Sequence, residues 1–470
     1  MLVFMKSIGM TWVLAFCAMG CSLKDPSPGL VDTLELGTVR GFHFERVITH
    51  LHTPYSHDAC DGKGIQEDGS LNLRCLHDLK NALCENRINL AFNTDHVNYL
   101  AQTDFEKLLL IENGDTVVNN GSGNPVANAL NCSNGFHAVM APGLEGQLIA
   151  LGMEKHVDGT IDQRKAVYGG ESLLEKNQLE DSAGPNALVV VPHTESKSLD
   201  LLRSLSPEAM EIYNLHANLD PKIRKAYLGY KPFEHVAKFM NYLFDLFNSQ
   251  NPDYLFVEFF QMSPLYFQKW NTLLSEDREV TGVAAHDSHE NIFSQKAADG
   301  ERLDQHRRMT RMFSNLVLTQ TGGMDAIKDS IRNGRVYFVL EGLGSPIGLD
   351  FHGTKNGSEI IEMGSTMNVL PGDTDELSFS QPSVIASFPG MDSDFKPSIY
   401  SELHRIDSSA NETVVATVSE GTLIYRDPPA GHYRIHSYMV PLHLKDLVLK
   451  PSYAQKAYPW IISNTIKVQK

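Results

Sequence analysis

Val47-Ile48-Thr49-His50-Leu51-His52-Thr53-Pro54-Tyr55-Ser56-His57-Asp58 is a short β-branched run that ends in two histidines one residue apart and then breaks into a turn. Residues two apart on a strand point to the same side, so His50 and His52 can face one metal ion, which helical spacing would not allow. The sign recurs downstream. Predicted strands 88–96, 138–145, 188–193 and 280–289 end in Asp95-His96, in Glu145, in His193 and in Asp287-Ser288-His289, the last again with two-residue spacing. Further strands are expected over 210–214 and 255–260, and amphipathic helices over 76–84, 105–111, 233–247 and 265–274. Strands alternating with helices argue for a parallel α/β sheet or barrel whose working face is the carboxyl end of the strands. Buried carboxylates without partners are costly, so this many converging groups call for cations, and a multinuclear metal site is the simplest arrangement.

Composition agrees. The chain has 470 residues, room for two or three domains at ~150 residues each, and 42% hydrophobic residues. Lys and Arg number 40 against 57 Asp and Glu, a net charge of -17 that repels a phosphate backbone and argues against nucleic acid as a partner. Nineteen histidines are more than a core requires. Polar segments 113–135 and 171–186 read as loops or insertions, and Glu211 and Asn214 are candidates to line the pocket or to make stabilising polar contacts. After about residue 345 helical periodicity fades. Alternating runs 413–418, 422–425 and 432–439 follow, with the turn cluster 426–431 reading as a hairpin, and predict an all-β, sandwich-like domain over 346–470.

Residues 1–20 carry one charge, Lys6, and an apolar stretch too short to span a bilayer, the pattern of a secretory signal. Ala18 and Gly20 before Cys21 are similar to a bacterial lipobox, which would make Cys21 the lipidated first residue of an exported protein anchored on the periplasmic or cell-surface side; free secretion is the alternative. Residues 21–44 then form a tether leading into a barrel over 45–345. Cys60, Cys75, Cys84 and Cys132 form an even set without a CxxC pair, consistent with disulfides in an oxidising compartment in any of three pairings, or with buried thiols.

In family order, these motifs resemble the PHP (polymerase and histidinol phosphatase) superfamily: His50-Leu51-His52-Thr53 with Ser56, Thr94-Asp95-His96, Pro142-Gly143-Leu144-Glu145, His156, His193 and Asp287-Ser288-His289. The resemblance implies a distorted (β/α)7 TIM-like barrel with two to three divalent metal ions (zinc, manganese or iron) and hydrolysis of small phosphoesters. Carried over residue by residue, it puts His50, His52, Glu145 and Asp287 on one metal, with Glu145 bridging to a second held by His156 and His193. The third metal would take His96, His289 and Asp58, where relatives often have His and this chain offers His57 alongside. Ala285-His286 stands where the family usually has Gly-Ser, and Thr194 where a Pro follows the strand-end His. Bridged ions lower the pKa of a shared water toward ~7 and supply hydroxide; His286 and His57 are candidates to protonate the leaving group. Segments 326–337, 344–350 and 458–464 look like the carbaryl-hydrolase-like branch, whose substrates extend to carbamates and aryl esters. The alternatives are therefore a carboxyl ester or carbamate hydrolase on the same site, or a non-catalytic metal-containing surface binding protein. His43, His77, His137, His216, His235, His306, His352, His404, His432, His436 and His443 lack partners at ligand spacing and read as surface or core residues.

Native protein is expected to carry its lipid on Cys21. Mass spectrometry of the native N-terminus checks this, as does release from the membrane fraction on Cys21→Ser; an intact Met1 would contradict it.

Overall fold

The computed structural model describes residues 29–470 except 183, 185–186, 230–250, 298, 386–393 and 449–450. The leader, Cys21 and the helix expected over 233–247 lie outside the described residues.

Nine strands organise the first part: β1 (Phe42–Leu51), β2 (Leu90–His96), β3 (Val139–Glu145), β4 (Ile149–Leu151), β5 (Leu188–Val191), β6 (Ala209–Asn214), β7 (Thr281–Ala285), β8 (Ser314–Thr319) and β9 (Val336–Val339). β1, β2 and β3 are parallel, β4 turns back antiparallel between β3 and β5, and β5, β6 and β7 are parallel again. The sheet then closes on itself. Leu51 bridges Ser288 in parallel, the Asp287 amide donates to the His50 carbonyl at 3.0 Å, and the His52 amide donates to the Ser288 carbonyl at 3.2 Å. At the opposite end β8 runs antiparallel to β1, and its Asn315 substitutes side-chain bonds for a ladder: it accepts from the Ala284 amide at 2.8 Å and donates to the Ala284 and Val47 carbonyls.

One buried cluster draws on every strand from β1 to β9: Val47, Leu90, Phe92, Ala141, Ile149, Leu188, Val190, Ala209, Val283, Val317 and Val336, joined by Ile327 and Ile331 of helix Met324–Arg332. Side chains from all strands can meet only inside the ring, so this is its packed interior. Each large apolar side chain contributes ~1.5–3 kcal/mol by leaving water. Outside the ring, helix Leu73–Glu85 starts where the Asn72 side chain accepts from the Cys75 amide, and buries Cys75, Leu76, Leu79, Ala82 and Leu83 along one stripe. Two disulfides fasten it: Cys60–Cys75 to the loop after β1, and Cys84–Cys132 to the segment before β3.

Several expectations are corrected. The distorted (β/α)7 barrel is seen in part: β1, β2, β3, β5, β6, β7 and β9 share one direction, while β4 and β8 run the other way. Segment 255–260 forms the last residues and the C-cap, Phe260, of a 3-10 helix, Pro252–Phe259, which Pro252 and the Asn251 cap initiate; its aromatic-rich composition imitates a buried strand. The expected loop 113–135 holds the hairpin Thr116–Asn119/Pro125–Ala129, which extends the sheet beside β3, and 171–186 holds helix Leu173–Ser182.

The C-terminal part is a β-sandwich. One sheet orders Thr366–Asn368, Ile466–Gln469, Gly431–Val440, Ser398–Ile406 and Glu412–Val418; the other orders Glu359–Ile361, Asp350–Lys355, Asp375–Ser380 and Thr422–Arg426. The turn cluster after Arg426 is therefore not a hairpin but a crossing, since Thr422–Arg426 pairs in one sheet and Gly431–Val440 in the other.

Residue 345 marks a change of texture, not a break in hydrogen bonding. Strand Tyr458–Ser463 pairs with β9 on one edge and with Gly431–Val440 on the other. Asn464 accepts from the Gly282 amide at 2.7 Å and donates to the Gly282 and Val336 carbonyls. Buried Arg46 of β1 also makes two 2.7 Å bonds to Glu341 just past β9. A chain truncated after residue 345 leaves the β9 edge and the Gly282 groups unpaired and buried apolar surface exposed. It is expected to be insoluble or to lack a cooperative melt, checked by thermal circular dichroism against the full chain; a cooperative, soluble truncation would contradict the shared sheet.

Candidate metal centre

Of the expected ligands, His50, His52, His96, Glu145, His193, Asp287 and His289 sit at a strand end or just beyond, on the side where the ring closes. In-register pairing of β2 and β3 sets His96 directly beside Glu145. Gly143 lets β3 pack closely between β2 and β4, because a Cβ there would come within 3.1 Å of Thr94 Cγ2 and 2.8 Å of the Ala150 carbonyl. His193 and Asp287 lie past the ends of β5 and β7 and take left-handed backbone conformations, φ 49° and 53°. Asp287 and His289 are thus presented by a turn, not by strand alternation.

The tautomers follow from the partners. His50 Nδ1–H donates to Glu211 Oε1 at 2.7 Å, His193 Nδ1–H to Glu195 Oε1 at 3.1 Å, and His289 Nδ1–H to the Asp287 carbonyl at 2.9 Å. Ser56 Oγ–H donates to Asp95 at 3.0 Å, so Ser56 Oγ accepts from His52 Nδ1–H at 2.7 Å. Carboxylates and carbonyls cannot donate. These four imidazoles therefore all turn Nε2 to the same interior, where a cation that displaces the Nε2 proton would meet the lone pair.

There the donor atoms crowd. His50 Nε2 and His52 Nε2 are 3.1 Å apart; Glu145 Oε2 is 3.3 Å from each, and Asp287 Oδ1 is 3.4 and 3.3 Å from them. Glu145 Oε2 also lies 3.1 Å from His96 Nδ1, while Glu145 Oε1 lies 2.9 Å from His193 Nε2, so its two oxygens face different groups. Asp58 lies 3.4 Å from His96 and 3.6 Å from His289. Glu145 Oε2, Asp287 Oδ1, His289 Nε2 and Asp58 Oδ1 are buried atoms without a hydrogen-bond partner among the described residues. Lone pairs at such separations repel unless a cation lies between them. Ligand atoms on a tetrahedral ion with ~2.0–2.1 Å bonds stand ~3.3 Å apart, so the residues fit a divalent metal.

The electrostatics ask for the same charge. Burial pulls His52 down, yet Asp287 and Glu145 outweigh it and lift His52 to about 9. His50 and His193 are likewise raised well above the usual imidazole range despite their burial. Burial pushes Glu145 and Asp287 up, but the surrounding imidazoles, His50 foremost, hold both well below the ordinary carboxylate range. The cluster stabilises positive charge at its centre.

Two expected residues are placed elsewhere. His156 donates from Nε2 to the Thr103 carbonyl at 2.7 Å, and its Nδ1 accepts from the Tyr168 hydroxyl at 2.9 Å, which leaves no lone pair for a metal. His286, expected to protonate a leaving group, is buried with its ring stacked on Phe313 at 3.9 Å and Nε2 donating to the Phe313 carbonyl. Burial there lowers it to about 3. His57 does stand at the mouth, half exposed, its ring 5.0 Å from that of His96. Glu211 and Asn214 are in place as well: Glu211 also accepts from the His193 amide, and Asn214 donates to Asp287 at 3.2 Å. Sequence reasoning missed Glu195, which Tyr266 donates to at 2.9 Å, and His216, which approaches Asp287 and His289. The position of His216 two residues past the β6 end was the available signal.

No family model and no curated protein matches the chain. Among solved structures it is similar to a two-domain protein containing a predicted PHP-like metal-dependent phosphoesterase from Bacteroides vulgatus, at 9% identity and a TM-score of 0.34, over 94% of this chain and 99% of that one. It is also similar to PsfC from Pseudomonas syringae, at 12% identity and a TM-score of 0.30, over 61% and 87% of the two chains.

Groups that fix the tautomer of a metal-binding histidine typically control affinity by 10–100-fold. Ser56→Ala and Glu211→Gln are each expected to weaken divalent-metal binding by about that factor in a competition titration, whereas His286→Asn leaves it unchanged.

Proposed function

We propose that this chain is an exported, lipid-anchored, metal-dependent hydrolase of the PHP type, acting on small phosphoesters. The observation that carries the catalytic reading is the set of imidazole Nε2 atoms turned inward on the buried carboxylates of Glu145 and Asp287. His50, His52, Glu145 and Asp287 would hold one ion, Glu145 and His193 a second, and His96, His289 and Asp58 a third. The N- and O-rich donor set suits zinc, manganese or iron. Divalent ions bound there supply Lewis acidity toward water and toward the attacked phosphoryl oxygen.

The chain's own groups do the rest. Glu211, Ser56 and Glu195 hold the imidazoles in the metal-binding tautomer, and burial of Glu145 and Asp287 keeps competing water off their oxygens. His57, half exposed beside Asp58, is the group placed to hand a proton to a departing alkoxide at the mouth. The two disulfides support an extracytoplasmic location. The appended sandwich supports the carbaryl-hydrolase-like branch, so carboxyl esters and carbamates belong in the assay.

Purified protein is expected to hydrolyse an aryl phosphate faster than the matching aryl acetate or aryl carbamate, to lose activity with a chelator and to regain it with added divalent metal. Glu145→Gln should abolish turnover and remove bound metal, measured by elemental analysis, while Asp58→Asn keeps at least two ions. Metal-free wild type, or unimpaired turnover by Glu145→Gln, would overturn this reading in favour of a surface binding protein.

A further inference from the structure

His216 is the second residue of the short helix Leu215–Leu219 that follows β6, a position outside the motif series of the sequence. One donor atom each from His216, Asp287 and His289 lies within 4.8 Å of the other two. The His216 and His289 rings meet edge-on, their centroids 5.3 Å apart. Each residue brings a buried atom with no hydrogen-bond partner among the described residues: His216 Nδ1, Asp287 Oδ1 and His289 Nε2. Asp287 and His289 are almost fully buried, 2% and 5% exposed, and His216 is partly exposed but keeps Nδ1 buried. An unsatisfied buried polar atom costs ~1–3 kcal/mol, and one cation among the three would serve them all.

His216 is held in this place by the segment around it. Asn214 caps the helix by accepting from the Ala217 amide at 2.9 Å, and its Nδ2 donates to Asp287 Oδ2 at 3.2 Å. The same side chain therefore fixes both the turn that carries His216 and the carboxylate it faces. His156, with both ring nitrogens engaged by Thr103 and Tyr168, offers no lone pair to the cluster.

We propose that His216 ligates a divalent cation together with Asp287 and His289, so that the carboxyl end of β6 adds a ligand that the motif series of the sequence does not contain. The proposal rests on the reading of the cluster as a metal centre. A site with two imidazoles and one carboxylate selects zinc, cobalt or iron over magnesium or calcium.

The test uses the full metal-free chain titrated with Co2+, followed by the visible absorption of the bound ion and by elemental analysis. Wild type is expected to bind two or three ions. His216→Gln should lose one ion per chain or bind its last ion at least tenfold more weakly, whereas His156→Gln matches wild type. Unchanged stoichiometry and affinity in His216→Gln, or loss of an ion in His156→Gln, overturns the proposal while leaving the hydrolase reading intact; a wild type that binds no Co2+ overturns that reading first. A second measurement needs no variant: Co2+ loading should slow modification of His216 by diethyl pyrocarbonate at least fivefold by peptide mass spectrometry, with half-exposed His77 as the unprotected control. Equal rates at His216 with and without Co2+ count against ligation.

Discussion

The two backbone hydrogen bonds that join β1 to the turn after β7 close the ring and assemble the site in the same act. Asp287 cannot donate to the His50 carbonyl unless β1 and the turn after β7 are neighbours, and once they are, His50, His52, Asp287 and His289 face one another. Register does the rest, since a one-residue slip between β2 and β3 would separate His96 from Glu145. Such a site cannot form in part of the chain, because its donors come from strands up to 239 residues apart, from His50 to His289.

Around those donors a second layer of polar groups determines which atoms are presented. Asp95 accepts from the Thr53 amide and hydroxyl and from Ser56, so one buried carboxylate shapes the turn after β1 and, through Ser56, the tautomer of His52. Glu211 acts on His50 and on the backbone of His193. Lys269 donates to the carbonyls of Thr194, Glu195 and Lys197 and thereby braces the left-handed turn at His193. A left-handed non-glycine residue costs ~1–2 kcal/mol, and this bracing offsets it. The helix that carries Lys269 and Tyr266 also meets the sandwich, where Asn271 donates to Glu412. The C-terminal sheet thus supports the site through this helix as well as through strand Tyr458–Ser463.

Much of this was legible in the sequence. Strand ends carrying His50, His52, His96, Glu145 and His193 stood out because a buried strand reads as an apolar run and the polar residue after it breaks the run. The alternating texture after residue 345 likewise announced a sheet with one covered face. Misreadings arose where composition and geometry part company. The aromatic-rich Pro252–Phe259 looks like a strand but follows a proline and a capping asparagine. The cluster after Arg426 looks like a hairpin, yet the flanking strands find better partners in opposite sheets.

By itself the sequence determined the alternating class of the first part, the β class of the second, the acidic surface and most of the donor residues, since these depend on local periodicity and residue type. Only the tertiary structure decided which histidines work together. His156 and His216 show why: both are single histidines beside ordinary neighbours, and whether either offers a lone pair to the cluster depends on Tyr168 and Thr103 in one case and on Asp287 and His289 in the other. Those partners are distant in sequence or presented by a turn of left-handed backbone. A lone pair's direction is set by the acceptor on the opposite ring nitrogen, and that acceptor arrives only when the ring has closed.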